Sequence, residues 1–298
     1  MLFALTLVAA EAHALPTAQS RAAQALAMQG ARVTEPRPLG PGALDLLVEG
    51  EEPALRRLRK AASDAAFRLP VDVCLQPFQG RKKRLLISDM DSTIVGCECI
   101  DELADFAGIK AEVAAITEAG MRGEIDFEQG LRQRVKMLTG LKLQDVETCI
   151  AERVRINPGA GTLVRTMAAQ GAECLLVSGG FTLFVDRVAK EVGFHGSMSN
   201  LLEIKGDRLS GQVLGPVFGS GQKLKTLQDA AARLGIGLDQ ALAVGDGAND
   251  LAMIEAAGLG VAYRAKPVVA AKADARVDHG DLTALLYFQG YRAEEFVQ

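Results

Sequence analysis

The sequence predicts an α/β protein: a doubly wound, mostly parallel sheet with a helical cap insert, preceded by a small α+β module of the ferredoxin-like kind. From residue 84 onward, short apolar runs alternate with helical stretches, the pattern of parallel strands joined by crossover helices. Residues 98 to about 155 interrupt that alternation with helical spacing, several charges and no strand, as a cap over the strand ends would. The first 80 residues follow the order βαββαβ, the split βαβ pattern.

The elements follow in order. "LFALTLVAA" suits a first strand. A secretory leader is not expected there, because no Lys or Arg precedes the run and Glu11 interrupts it before Ala12-His13-Ala14. "SRAAQALAMQGA" has helical spacing and closes on Gly30, and "RVTEPRPLGPGALDLLVEG" divides into two strands about a Pro/Gly turn. "EPALRRLRKAASDAA" reads as a basic-faced helix and "VDVCLQPF" as the closing strand. Gly80 and the bases "RKKR" mark a hinge between a domain at 1–80 and one at 84–298, with the bases expected to be solvated. "RLLIS", "ECLLVS" and "QALAVGD" are core strands of the second domain. Residues 196–217 suit a β-hairpin turning at Gly206-Asp207.

Composition narrows the function classes. Of 298 residues, 49% are hydrophobic and 23% charged, enough for a buried core. A net charge of −4 with mixed signs argues against nucleic-acid partners. No run reaches the roughly 20 apolar residues of a membrane span. The cysteines at 74, 97, 99, 149 and 174 are odd in number and lack C-x-x-C spacing, so free thiols and a cytoplasmic location are expected. Histidines occur only at 13, 195 and 279, which disfavours histidine-based metal or triad chemistry.

In an open α/β sheet, ligands bind beyond the carboxyl ends of the strands. Asp89, Asp91, Ser92 and Thr93 follow one apolar run, Ser178, Gly179 and Gly180 a second, and Asp246, Gly247, Asn249 and Asp250 a third. Lys223 stands at the start of the helix "QKLKTLQDAAARLG". Two carboxylates about 4 Å apart repel by roughly 4 kcal/mol at an effective dielectric near 20, so such a crevice requires a cation, a proton, or both. Carboxylate oxygens with open positions suit Mg²⁺ and a substrate phosphate. Ser178, the glycine amides and Lys223 can bind phosphate oxygens. One carboxylate can attack phosphorus while a second moves the proton. Each piece alone has a plain structural reading, as a turn, a helix cap or a surface lysine. In this order, each behind an apolar run, they point to Mg²⁺-assisted phosphoryl transfer.

The four segments together resemble the haloacid dehalogenase superfamily of phosphatases. Its D-x-D-x-T/S motif matches "DMDST", its strand ending in Ser or Thr matches "LLVSGG", its lysine matches Lys223, and its G-D-x-x-x-D matches "GDGAND". Within the superfamily, "DMDSTIVGCECIDELA", "FEQGLRQRVKML", "VSGGFT" and "VGDGANDLAMI" are similar to the signature segments of the phosphoserine phosphatases, over residues 84 to about 290. The resemblance implies Asp89 as nucleophile and Asp91 as general acid, then base. It implies Mg²⁺ on Asp89, the Asp91 backbone carbonyl and Asp246, with Asp250 in support. Phosphate would be held by Ser178, Gly179 and Lys223, with Asn249 ordering the site. From the cap, Glu98 would meet an ammonium, Arg134 a carboxylate, and Met121 and Phe127 would form an apolar lid. The implied substrate is the small molecule O-phospho-L-serine, at the last step of serine biosynthesis. The first domain resembles the ACT regulatory domains, which bind amino acids at a dimer interface. No glycine follows its first strand in "VAAEAHALP", which leaves a structural or homodimerising role beside serine sensing.

Overall fold

The computed structural model describes residues 1–121 and 124–298. In the first module, β1 (Leu2–Ala9) pairs antiparallel with β4 (Ala43–Glu49) and β5 (Val71–Pro77). The strand expected between the helices is split into β2 (Arg32–Val33) and β3 (Arg37–Gly40), both paired with β4. Alternate β1 residues Phe3, Leu5 and Leu7 pack with Leu46, Val48 and Leu75 under Leu26 of α1 (Leu15–Met28) and Leu58 of α2 (Leu55–Ala65). The other face of the sheet is also covered. Val8, Ala43 and Cys74 join the core of the second unit, which explains why β1 lacks a polar side.

Among the described residues the second sheet has the order β12-β11-β10-β6-β7-β8-β9. Its strands are β6 (Leu85–Ser88), β7 (Glu173–Phe181), β8 (Gly196–Lys205), β9 (Arg208–Leu214), β10 (Ala241–Gly245), β11 (Leu259–Tyr263) and β12 (Ala275–Val277). All neighbours are parallel except β8 and β9. The expected hairpin is therefore also a main-sheet extension, since the start of β8 pairs with β7.

Because β6 is buried on both sides, its residues alternate between two cores. Leu86 faces α7 (Ala160–Ala169) and α8 (Thr182–Val192), whereas Leu85 and Ile87 face α9 (Ser220–Leu234) and α10 (Leu251–Ala256). Between β6 and α7 run the helices α3 (Cys99–Phe106), α4 (Lys110–Met121), α5 (Phe127–Met137) and α6 (Leu143–Arg153). Asp126 caps α5 by accepting from the Gln129 amide at 2.8 Å, and Arg132 donates to the Val213 carbonyl at 3.2 Å, so α5 rests against β9. No helix among the described residues is long and apolar enough to cross a membrane.

Of the "RKKR" bases, Lys82 and Arg84 are exposed as expected, whereas Arg81 and Lys83 are not. Arg81 pairs with the buried Asp45 at 2.6 Å, and Lys82 meets Glu295 at 2.8 Å above the Tyr291 ring. Lys83 is buried and donates to the carbonyls of Gly80 and Asp239. The main tie between the two units is Asp72 on β5. Its carboxylate accepts from the amides of Asp278 (2.8 Å), His279 (3.1 Å) and Gly280 (2.7 Å), just past β12. Leaving these part-buried N–H groups without their acceptor costs toward the low end of about 1–3 kcal/mol each. Asp72→Ala is therefore expected to lower the unfolding free energy by about 3 kcal/mol, with Asp72→Asn milder, as read from urea denaturation followed by circular dichroism.

Candidate active site

The chain leaves β6 for β7 on one side and returns as β10 on the other, so the carboxyl ends of three neighbouring strands form a topological switch point. Asp89 follows β6 directly, and its amide extends the ladder to the Val244 carbonyl at 3.0 Å. Immediately beyond, the amides of Thr93, Ile94 and Val95 all converge on the Met90 carbonyl, and Ser92 takes a left-handed conformation with φ 56°. This tight turn holds Asp91 between two neutral donors. Its Oδ1 accepts from the Cys99 amide at the start of α3 (3.1 Å), and its Oδ2 accepts from Ser178 Oγ on β7 (3.4 Å).

Lys223, fully buried on α9, donates to Asp89 Oδ1 and to Asp250 Oδ1, the latter at 2.7 Å. Asp250 Oδ2 accepts from the Gly247 amide at 3.1 Å, so both oxygens of this acid are engaged. Carboxylate oxygens of Asp89, Asp246 and Asp250 lie within 4.8 Å of one another.

The electrostatics follow from that crowding. Burial, then the charge of Asp250, lifts the Asp89 carboxyl well above the usual carboxylate range against the pull of Lys223. Burial and the Glu98 charge push Asp91 up to about 6. Burial, with Asp250 and Glu98, likewise pushes Asp246 up to about 6. For Lys223, burial acts downward, but the charges of Asp89 and Asp250 together outweigh it and hold the ammonium protonated. Three clustered carboxylates against one lysine leave excess negative charge, and the donors are all hard oxygens. That set fits a divalent cation, with Asp89 and Asp246 offering the freer oxygens.

A cavity of about 110 Å³ opens on these groups, lined by Asp89, Asp91, Gly179, Asp246 and Asn249 together with Glu98, Phe127 and Arg134. Ser178, Lys223 and Asp250 are fully buried beside it. Glu98 Oε1 accepts from Ser92 Oγ at 2.7 Å, and Arg134 Nε donates to the Gly130 carbonyl at 3.3 Å. Burial lowers the Arg134 pKa, opposed by the charges of Asp101 and Glu98. The side chain of Met121, at the end of α4, lies outside the described residues. Sequence reasoning missed Ile100, Leu131, Phe181 and Lys266, which also line the cavity. Lys266 follows β11, and its amide donates to the Asp246 carbonyl at 3.0 Å. The signal for it was the apolar run "LGVAY" ending in "RAK", the same strand-then-polar pattern that marks the other loops.

The haloacid dehalogenase-like hydrolase family matches residues 86–255. A phosphoserine phosphatase from Polaromonas sp. is 47% identical over 208 residues, covering 68% of this chain and 88% of that one. The chain belongs to the phosphoserine phosphatase family of haloacid dehalogenase-like hydrolases. A crystal structure of a probable phosphoserine phosphatase from Vibrio cholerae is similar at TM-score 0.79 and 33% identity, covering 97% of this chain and 86% of that one. Another solved phosphoserine phosphatase, described as a phospho-aspartyl intermediate analogue, is 38% identical at TM-score 0.64 and covers 69% of this chain and 98% of that one.

For this family member the raised carboxyls dictate a linked pH and cation response. In the unfolded chain Asp91 and Asp246 lose their protons near 3.8, but in the folded protein only near 6. The metal-free fold is therefore progressively penalised as pH rises between those values, and the penalty is complete above the upper one. A cation relieves the ionised site. The gain in Tm on adding Mg²⁺ should accordingly be larger at about pH 7.5 than at about pH 5, and a gain independent of pH would contradict the assignment.

Proposed function

We propose that the chain hydrolyses O-phospho-L-serine to L-serine and phosphate through an aspartyl-phosphate on Asp89, the closing step of serine biosynthesis. The observation that carries this reading is a single cavity shared by the two-acid site and by Glu98 and Arg134. A phosphorylated amino acid needs one anion and one cation beyond its phosphate site. The carboxylate is matched by the planar fork of Arg134, and the ammonium by Glu98. Ser178, the Gly179 amide and Lys223 receive the phosphate oxygens, and Asn249 orders that end of the site.

Asp89 and Asp246, with the backbone carbonyl of Asp91, would hold Mg²⁺, while Asp250 secures Lys223 behind them. When bound, the ion neutralises charge on the phosphoryl oxygens and on the acids. In the first step an Asp89 oxygen forms a bond to phosphorus as the bond from phosphorus to the serine oxygen breaks. Asp91 gives its proton to that leaving oxygen. In the second step Asp91 takes a proton from water, whose oxygen attacks phosphorus and releases Asp89. A pKa near 6 lets one carboxyl serve in both directions.

The two acids should fail differently. Asp89→Asn is expected to lower kcat by roughly 10⁴-fold or more with the fold intact. Asp91→Asn should still be phosphorylated by p-nitrophenyl phosphate, whose leaving group needs no proton, and should then stall. The readout is a stoichiometric burst of nitrophenolate, and unchanged steady-state turnover of either variant would sink its assignment.

Substrate selection has its own test. Arg134→Ala is expected to raise KM for phosphoserine roughly 10- to 100-fold, the loss of a charge-assisted hydrogen-bond pair. Phosphoethanolamine, which lacks the carboxylate, should be affected far less. Equal losses on both substrates would remove Arg134 from carboxylate recognition.

A further inference from the structure

Phe127, the first residue of α5, is 48% exposed, yet its ring edge lies against two segments of the catalytic core. A Cβ placed on Gly219 would stand 3.2 Å from the ring's Cε1 and 3.3 Å from Cδ1, closer than ordinary van der Waals contact. A Cβ on Gly179 would stand 3.4 Å from Cζ. The ring therefore spans from the C-terminal end of β7 to the residue that caps α9, the helix carrying Lys223. Gly219 is extended (φ −134°, ψ −158°), a backbone any residue adopts, so its own conformation does not call for glycine. A Cβ there would instead press on the ring, which would have to give by a few tenths of an ångström.

The two walls of this seat are joined by one side chain. Asn200 on β8 is 2% exposed, and its Nδ2 donates to the carbonyls of Gly179 (2.9 Å) and Phe218 (3.1 Å). Its Oδ1 accepts from the Phe218 amide at 2.7 Å. A buried amide with three satisfied bonds fixes what it touches. Here it fixes the Ser178–Gly179 end of β7 to the start of α9, hence the phosphate-binding strand end to the helix of Lys223.

We propose that Gly219 and Asn200 are positioning residues for the phosphatase reaction. They form, with Gly179, a receptor notch for Phe127, so that seating the cap and aligning the phosphate site are a single event. This rests on the reading of the site as a phosphatase acting beneath a cap. It assigns a role to two residues outside the four motifs and explains why glycine stands where serine would make a better helix cap.

The test is a double-mutant cycle on the full chain with Mg²⁺ present. Gly219→Ser keeps a capping residue on α9, so Tm should hold or rise, while the added side chain displaces the ring. We expect kcat/KM for phosphoserine to fall roughly tenfold. Phe127→Ala should cause a loss of its own, and in that background Gly219→Ser should be nearly neutral. A purely structural role for Gly219 would lower activity by the same factor in both backgrounds, and that multiplicative result overturns the notch, as does a fully active Gly219→Ser single variant. The same cycle run on p-nitrophenyl phosphate separates the two readings. Wild-type protein inert toward phosphoserine yet non-additive on the aryl ester would overturn the substrate and keep the notch. Asn200→Ala, folded by circular dichroism, should weaken inhibition by inorganic phosphate about tenfold, and unchanged inhibition would remove Asn200 from the tie.

Discussion

The ammonium of Lys223, fully buried and shared by Asp89 and Asp250, is the interaction on which the catalytic unit depends. Withdrawing a charge from water costs several kcal/mol even after relaxation, and only close, hydrogen-bonded partners offset it. The three groups come from three elements: the end of β6, the first turn of α9 and the entry to α10. One buried cluster thus fixes a strand and two helices relative to one another. It is also unbalanced, with two acids against one base and Asp246 within reach. The fold stores a negative excess where a cation and a phosphate would meet, and burial together with the Asp250 charge raises Asp89 and Asp246.

The sheet topology makes this arrangement attainable. Parallel pairing of β6 with both β7 and β10 brings three loop starts to one edge without any long side chain having to reach across. The insert then adds a second pair of charges to the same cavity, Glu98 and Arg134. The first module contributes no residue to the cavity lining. Its bonds run instead to the loop past β12 and to the carbonyl of Phe288, so it buttresses the far edge of the sheet.

What was legible in the sequence was local. An apolar run of four or five residues followed at once by Asp, Ser or Gly betrays a buried parallel strand delivering polar groups, and β6, β7 and β10 were readable for that reason. Relations between distant residues were not. Four consecutive bases look alike, yet Arg81 and Lys83 are withdrawn from solvent by Asp45 and the carbonyl of Asp239 from far along the chain. The start of β8 looks like half a hairpin because its pairing with β7 leaves no mark in its own composition. Asn200 in "SMSNLL" and Gly219 in "FGSGQK" are ordinary residues in sequence, and only the backbone segments they meet give them meaning.

The two acids of "DMDST" illustrate how environment divides identical side chains. Burial lifts both, yet their partners differ in kind. Asp89 faces a permanent cation that claims one of its oxygens, whereas Asp91 faces an amide and a hydroxyl, donors that can adapt as its charge changes. A carboxyl pushed to about 6 and held by neutral donors can release and recover a proton near neutral pH, which is the behaviour a leaving-group acid requires. On top of burial, each acid also feels a neighbouring carboxylate, Asp89 that of Asp250 and Asp91 that of Glu98. A cation reverses such crowding where it cannot restore lost water. What divides the two is the partner each keeps: the Lys223 ammonium for Asp89, an amide and a hydroxyl for Asp91.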